Sequence, residues 1–172
     1  MSGLTIVSPR GLLSGSSLEA ELEFRTAQLR KSGGRRSFVD VVGAIEEDTV
    51  LRILAAARLG ARIILLHPRW TDEERSRNLA RIQGGPAPKR GTATGEFVLF
   101  TSGTGGEPKA VELSAAGFEV HGKAAAKRLQ STKEDRWLLT LTPAHVGGLA
   151  IILRAHFQAS TLVVPPNPIP RD

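Results

Sequence analysis

The chain has 172 residues, of which 41% are hydrophobic and 23% are charged, a composition typical of one globular domain with its own core. It contains no cysteine, which excludes a disulfide framework and a thiolate metal site, and no apolar run approaches the roughly 20 residues that span a bilayer, so we expect a cytoplasmic protein. The net charge of +6 would suit nucleic acid, but the basic residues are scattered, aromatic residues make up only 5%, and no nucleic-acid motif is visible. Nucleic-acid binding is therefore the less favoured hypothesis.

The first segment, 1–36, is predicted to be helical. Ser16 and Glu19 have the spacing of a capping box, in which each side chain accepts a hydrogen bond from the backbone N–H of the other residue. Leu18, Leu22 and Leu29 then recur on one helical face. The residues before Ser16 carry little structural signal.

A βαβα unit is predicted over 37–83. Its first strand covers 37–45, with Asp40 near the strand edge or facing solvent. Asp48 is predicted to cap the following helix, which ends at Gly60.

The same unit continues with an apolar strand over 62–66. Thr71 and Glu74 then have the spacing of a second capping box, which predicts a charged helix to about residue 83. Glycine, proline and small polar residues dominate 84–95, which we interpret as a surface linker.

A βαβαβ unit is predicted over 96–165, followed by a tail over 166–172. The unit begins with four consecutive apolar residues, typical of a strand buried on both faces. The predicted elements are a strand over 97–100, a short returning strand over 109–113, a helix from the cap Ser114 to about 130, a buried strand over 137–141, a helix over 147–158 and a strand over 161–164.

Alternation of strands and helices predicts an α/β fold with a mostly parallel sheet and helices on both of its faces. In such sheets ligands bind beyond the carboxyl ends of the strands. The loop after the strand 97–100 and His145 both follow predicted strands, so both can lie on that edge. His67, His121 and His156 are expected to have structural roles.

The loop after the strand 97–100 has the chemistry of an anion cradle, because glycines let backbone N–H groups approach a ligand while hydroxyls and a lysine add donors. Lys109 is preceded by Pro108 and followed by Ala110, which does not fit a P-loop, and the glycines do not fit GxGxxG. A glycine-rich hairpin turn between two strands remains the alternative. The candidate phosphate-binding residues are Thr101, Ser102, Gly103, Thr104, Gly105, Gly106 and Lys109.

The string TSGTGGEPKAV, 101–111, resembles the phosphate-binding signature [ST]SGT[TS]GxPKGV of the adenylate-forming (AMP-binding) superfamily, of acyl-CoA synthetase type. Gly105 stands where a hydroxyl residue is usual, and Ala110 where glycine is usual. The segment VLRILAAARLGARIILLHPRWTDEE resembles a helix-strand unit of the same family, and EDRWLLTLTPAHVGGLAIILRA is similar to a segment of o-succinylbenzoate-CoA ligases. The resemblance covers about 38–165, the first part of the family's usual length.

The resemblance implies that residues 1–172 are a single, incomplete N-terminal domain, resembling the first portion of the large N-terminal domain of adenylate-forming enzymes, with the C-terminal small domain absent. It implies a truncated or split carboxylate-CoA ligase whose substrates are a carboxylic acid, ATP with Mg²⁺, and CoA, similar to the o-succinylbenzoate-CoA ligases of menaquinone synthesis. No catalytic residue and no metal ligand of the chain itself are assigned. Because later motifs of the family have no counterpart, we expect activity to need a complementing chain, or the chain to form a homo-oligomer.

The resemblance also implies a substrate-binding role for His145, with Gly147 and Gly148 leaving space beside it. A histidine that caps the next helix is the alternative for His145. For the whole chain, the alternatives are a non-catalytic interaction module that keeps the fold, and the less favoured nucleic-acid binder.

Overall fold

The computed structural model describes residues 3–31, 38–83, 96–102 and 107–166. Within these ranges no helix is long and apolar enough to cross a membrane. The elements are β1 (Thr5–Ser8), β2 (Gly11–Ser14), α1 (Gly15–Lys31), β3 (Phe38–Val42), α2 (Glu47–Arg58), β4 (Arg62–Leu66), α3 (Asp72–Gln83), β5 (Glu96–Thr101), β6 (Lys109–Ser114), α4 (Ala115–Leu129), β7 (Arg136–Leu138), α5 (Val146–Phe157) and β8 (Thr161–Val163).

The strands form two four-stranded sheets. Sheet 1 has the order β2-β1-β8-β7, in which β1, β8 and β7 are parallel and β2 is antiparallel to β1. Sheet 2 has the order β3-β4-β5-β6, in which β3, β4 and β5 are parallel and β6 is antiparallel to β5. The predicted α/β class with mostly parallel pairing is confirmed, and the strands divide between two sheets.

Sheet 2 is covered on both faces, which explains why β4 is apolar throughout. Ile63 and Leu65 belong to the main core, which also contains buried residues of α1, α2, α5 and sheet 1. Ile64 and Leu66 belong to a smaller cluster with Ile82 of α3. Since successive side chains of a strand point to opposite faces, both faces must be apolar, and each buried aliphatic side chain contributes roughly 1.5–3 kcal/mol.

Two predicted helix caps are confirmed. The Thr71 backbone N–H donates to Glu74 Oε2 at 2.7 Å, and the Glu74 N–H donates to Thr71 Oγ1 at 3.2 Å, which is the predicted capping box at the start of α3. Ser114 Oγ accepts from the Gly117 N–H at 3.1 Å and caps α4. Both caps need only residues three positions apart, so the local sequence is sufficient to specify them.

The predicted caps at Ser16 and Asp48 are wrong. Ser16 lies inside α1, and the Glu19 carboxylate accepts a hydrogen bond from Arg58 of α2 at 2.8 Å. Asp48 lies in the first turn of α2, after the N-cap residue Glu46, and pairs with Arg25 of α1. The Glu19 and Asp48 carboxylates each pair with an arginine of the other helix, and these two ion pairs join α1 to α2.

Strand boundaries differ in two further places. The segment before Ser16 forms the hairpin of β1 and β2, and Ile6 of β1 is fully buried. The strand predicted over 137–141 is Arg136–Leu138, and Leu138 is 50% exposed, so this strand is not buried. Asp40 faces solvent, as predicted. The predicted linker 84–95 lies outside the described residues.

Candidate functional site

The parallel strands β3, β4 and β5 end at one edge of sheet 2, which we call the carboxyl edge. Val42 pairs with Leu66 in register, and β5 continues the same direction beside β4. The residues that follow the three strands are Gly43, His67 and Ser102. Because carboxyl ends of parallel strands are where α/β folds bind ligands, this edge is the candidate site.

The predicted phosphate residues lie on the hairpin that joins β5 to β6. Lys109 is directly opposite Thr101 in the antiparallel ladder, and Thr101 Oγ1 donates to the Lys109 carbonyl oxygen at 3.5 Å. Opposite residues in such a ladder have side chains on one face, so the hydroxyl and the ammonium group share a face. Thr101, Ser102 and Lys109 are exposed. The strand pairing that the hairpin alternative requires is thus present, and it places the Thr101 and Lys109 side chains on one face.

Four of the predicted phosphate-binding residues lie outside the described residues, and these are Gly103, Thr104, Gly105 and Gly106. The described part of the hairpin is anchored by two ion pairs. Arg81 of α3 contacts Glu107 at 2.8 Å, and Arg62 of β4 pairs with Glu112 of β6.

His145 lies at the carboxyl edge of sheet 2. Its ring packs edge-on against His67, which follows β4, with ring centroids 5.4 Å apart. His145 occupies the N-cap position of α5, yet its side chain makes no capping hydrogen bond, so the alternative capping role is wrong. The side chain is exposed and free of that role, as a ligand contact requires.

The segment 141–145 is held against sheet 2 by close backbone packing. Thr142 Oγ1 donates to the Gly43 carbonyl oxygen, which follows β3. A Cβ at Gly43 would lie 2.5 Å from the Ala144 nitrogen, and a Cβ at Gly148 would lie 2.2 Å from the Thr142 oxygen. Backbone atoms of Leu141 and Thr142 therefore occupy the space beside Gly148, and close packing requires a glycine at this position. A substrate contact of Gly147 or Gly148 stays a prediction.

A series of rings connects His145 to β5. His67 lies 6.4 Å from Trp70, and Trp70 packs edge-on against Phe100 of β5 at 4.9 Å, measured between centroids. His67 Nδ1 accepts from the Arg69 N–H at 3.2 Å, so the neutral ring carries its proton on Nε2. Burial, the charge of Arg69 and the proximity of His145 lower the pKa of His67. Sequence analysis missed His67 as a neighbour of the site, and its position at the end of a strand was the available signal.

An apolar groove of about 450 Å³ lies between β6, α4 and α5, and it includes Val146, the residue after His145. Its apolar walls suit the carbon part of an acid better than its charge. Within the described ranges no group of three histidine, aspartate or glutamate side chains could hold a metal ion. The groove is lined by Glu112, Leu113, Ser114, Gly117, Phe118, His121, Val146 and Ala150.

Comparisons with known proteins match this architecture. The 2-succinylbenzoate--CoA ligase of Bacillus subtilis (strain 168) is 31% identical over 67 residues, which are 39% of this chain and 14% of the ligase. The structure of o-succinylbenzoate CoA synthetase from Bacillus subtilis in complex with the acyl-adenylate intermediate OSB-AMP gives a TM-score of 0.76 at 19% identity, covering 92% of this chain and 51% of that one. The same synthetase in complex with ATP and magnesium ion gives 0.75 at 18% identity, covering 92% and 52%.

The structural likeness shows the shared fold, and the chain spans about half the length of these solved relatives. The sequence model of the AMP-binding enzyme family matches residues 86–172, which is half of the 172-residue chain and includes the hairpin of β5 and β6. The sequence and the fold together show that this chain belongs to the AMP-binding enzyme family.

Proposed function

We propose that the chain is the phosphate-binding portion of an ATP-dependent carboxylate-CoA ligase. The observation that carries the proposal is the hairpin at the carboxyl edge, where Lys109 lies opposite Thr101 within the family match. In this reaction a substrate carboxylate attacks the α-phosphorus of ATP, an acyl-adenylate forms and pyrophosphate leaves. The thiol of CoA then displaces AMP to form the thioester.

The hairpin would hold the leaving pyrophosphate. Lys109 supplies a positive charge to the β and γ phosphates, and Ser102, which follows the opposite strand, supplies a hydroxyl donor. The Thr101 hydroxyl donates to the Lys109 carbonyl oxygen and so holds the two strands together beside the ligand. Charge builds up on these phosphates as the bond to the α-phosphorus breaks, so donors fixed in advance lower the barrier. Gly103, Thr104, Gly105 and Gly106 would add backbone N–H groups and one hydroxyl, and Mg²⁺ would enter bound to ATP.

The acid would lie between His145 and the apolar groove. His145 offers a polar ring at the carboxyl edge, and the groove begins at the next residue, Val146. An acid with an apolar body and a polar group fits this arrangement. Relatives named as 2-succinylbenzoate--CoA ligases support o-succinylbenzoate or a similar aromatic acid as the substrate, which would place the chain in menaquinone synthesis.

A non-catalytic interaction module is the second candidate, supported by apolar surface around β6. Among the described strands β6 pairs only with β5, so its outer edge offers unpaired backbone groups. Near this edge Val111 is 38% exposed, and Val146, on the rim of the apolar groove, is 57% exposed. A strand from a complementing chain or from a second copy would cover both. Light scattering at tens of micromolar tests the second-copy form of this candidate, since a monodisperse monomer contradicts it.

Calorimetric titration with magnesium-ATP and with pyrophosphate tests the ligase proposal. We expect the wild type to bind both ligands and Lys109→Ala to bind them about 10–100-fold more weakly, the usual effect of removing a charge-assisted contact. Lys123→Ala is the matched control, because Lys123 is an exposed lysine of α4 that pairs with Glu119. Equal affinities of the two variants would refute the assigned phosphate site. Nucleic-acid binding that depends steeply on salt and is indifferent to Lys109→Ala would favour the nucleic-acid hypothesis instead.

A further inference from the structure

The hairpin that joins β5 to β6, which we call the phosphate hairpin, carries two carboxylates beside its lysine in the segment 107–114. Glu107 precedes Lys109 by two residues and Glu112 follows it by three, so this segment alone has a net charge of −1. Glu107 pairs with Arg81, and Glu112 pairs with Arg62. With these two arginines included, the local net charge is +1. Lys109 makes no ion pair with any described residue.

An uncompensated carboxylate at position 107 would oppose anion binding. Two residues of extended chain span only about 7 Å, so Glu107 acts on the same ligand as Lys109. Glu107 is 69% exposed, and a partner of opposite charge is needed to cancel the field of its carboxylate at the ligand. Arg81 lies 2.8 Å away and carries the opposite charge.

The packing of α3 against sheet 2 fixes the backbone position of Arg81. Its neighbour Ile82 is buried against Val98 of β5, in the small cluster on the outer face of sheet 2. Arg81 also lies in the last turn of α3, where the helix dipole favours a cation. A groove of about 300 Å³ separates the two elements and is lined by Arg81, Phe100 and Pro108 among others. Helix α3 therefore holds the guanidinium beside the hairpin without depending on the ligand.

We infer that Arg81 is a positioning residue of the phosphate hairpin, which cancels the charge of Glu107 so that the hairpin can accept a polyphosphate. The inference rests on the proposed function, because it names a residue that supports the same site. Arg81 acts through Glu107 and makes no contact with the phosphates itself. That distinction gives the inference its test.

The test measures pyrophosphate binding by calorimetry for four proteins besides the wild type. Arg81→Ala exposes the Glu107 charge and should weaken binding about three- to tenfold, the effect of one unit charge about 7 Å away when water screens most of its field. Glu107→Gln should bind as tightly as the wild type or more tightly. The double variant Arg81→Ala/Glu107→Gln should bind within about twofold of the wild type, because the two charges cancel when both are present and are both absent from the double variant. Arg77→Ala, which removes an exposed arginine one turn earlier on α3, should also have less than about a twofold effect.

Two results would overturn the inference and leave the proposed function intact. The first is an Arg81→Ala affinity equal to that of Arg77→Ala while Lys109→Ala still weakens binding as proposed. The second is a double variant that binds as weakly as Arg81→Ala alone, which would mean that Arg81 touches the phosphates directly. A wild type that binds no pyrophosphate would overturn the inference together with the proposed function. Thermal unfolding provides the folding control, since a pair of which each side chain is about half exposed or more contributes little to stability.

Discussion

Replacing Gly148 by alanine tests the junction that brings His145 to sheet 2. The added Cβ would lie 2.2 Å from the Thr142 carbonyl oxygen and 2.4 Å from the Leu141 carbonyl oxygen. Both atoms belong to backbone, so no side chain can rotate away. The segment 141–145 must therefore move away from α5, and the hydrogen bond from Thr142 to Gly43 must lengthen or break.

The expected cost follows from these contacts. Overpacking against backbone costs about 1–3 kcal/mol, and the loss of a partly buried hydrogen bond adds about 1 kcal/mol. Because alanine is a better helix former than glycine, the substitution also stabilises α5 by up to about 1 kcal/mol, which offsets part of this loss. Gly147→Ala recovers the same amount, but its Cβ meets only Leu141 Cδ1, the far end of a side chain that is 49% exposed. The difference between the two variants should therefore be about 2–4 kcal/mol.

Urea and thermal unfolding, followed by circular dichroism, measure this difference directly. For a chain of this size it corresponds to a melting temperature about 4–16 °C lower for Gly148→Ala than for Gly147→Ala. Equal stabilities of the two variants would refute the close approach of α5 to the segment 141–145. The placement of His145 at the carboxyl edge would then lose its structural support.

Three further stability predictions use the same unfolding assays. Gly122→Ala should stabilise the protein by about 0.5–1 kcal/mol, because the residue lies inside α4 and its Cβ would meet Phe157 Cδ2 at an ordinary 3.8 Å; a lower stability would contradict this. Hydrogen bonds from Thr71 lower the pKa of Glu74 below 4.5, so Glu74→Gln should destabilise α3 at neutral pH. That loss should disappear as the pH falls through the lowered pKa, and a loss that is independent of pH would be inconsistent with it. Burial and the charge of Arg58 lower the pKa of His156 below 6.5, so the folded state resists protonation and loses stability as the pH falls below 6.5. His156→Gln should make this acid-induced loss smaller, and an unchanged slope between about pH 8 and pH 5 would count against it.

Features that depend on neighbouring residues could be predicted from the sequence. The capping box of Thr71 and Glu74 needs only four residues, and the apolar β4 needs only its own five. The returning strand β6, and Ser114 as the cap of α4, follow from the local pattern in the same way. These elements were predicted because their partners lie close by along the chain.

Features that depend on distant partners could not be predicted. Glu19 has the spacing of a capping box, but Arg58 lies within reach in the folded chain and takes the carboxylate. The hairpin of β1 and β2 was missed because β1 is stabilised by its parallel pairing with β8, at the other end of the described chain. The sequence of a four-residue strand is too short to predict a strand by itself, because most of its stabilisation comes from the strand that it pairs with.

The position of His145 at the carboxyl edge was predicted on the assumption of one sheet, whereas the structure reaches the same position by another route. The strands on either side of the histidine segment, β7 and β8, belong to sheet 1, and the phosphate hairpin belongs to sheet 2. His145 reaches the edge of sheet 2 because the segment 141–145 crosses to it and packs on Gly43. Two glycines, Gly43 and Gly148, therefore decide whether the histidine and the hairpin can face one ligand, although neither carries a group that could bind it. If the proposed function is right, substitutions at these glycines should weaken the binding of an acyl-adenylate analogue more than the binding of pyrophosphate, because pyrophosphate needs only the hairpin.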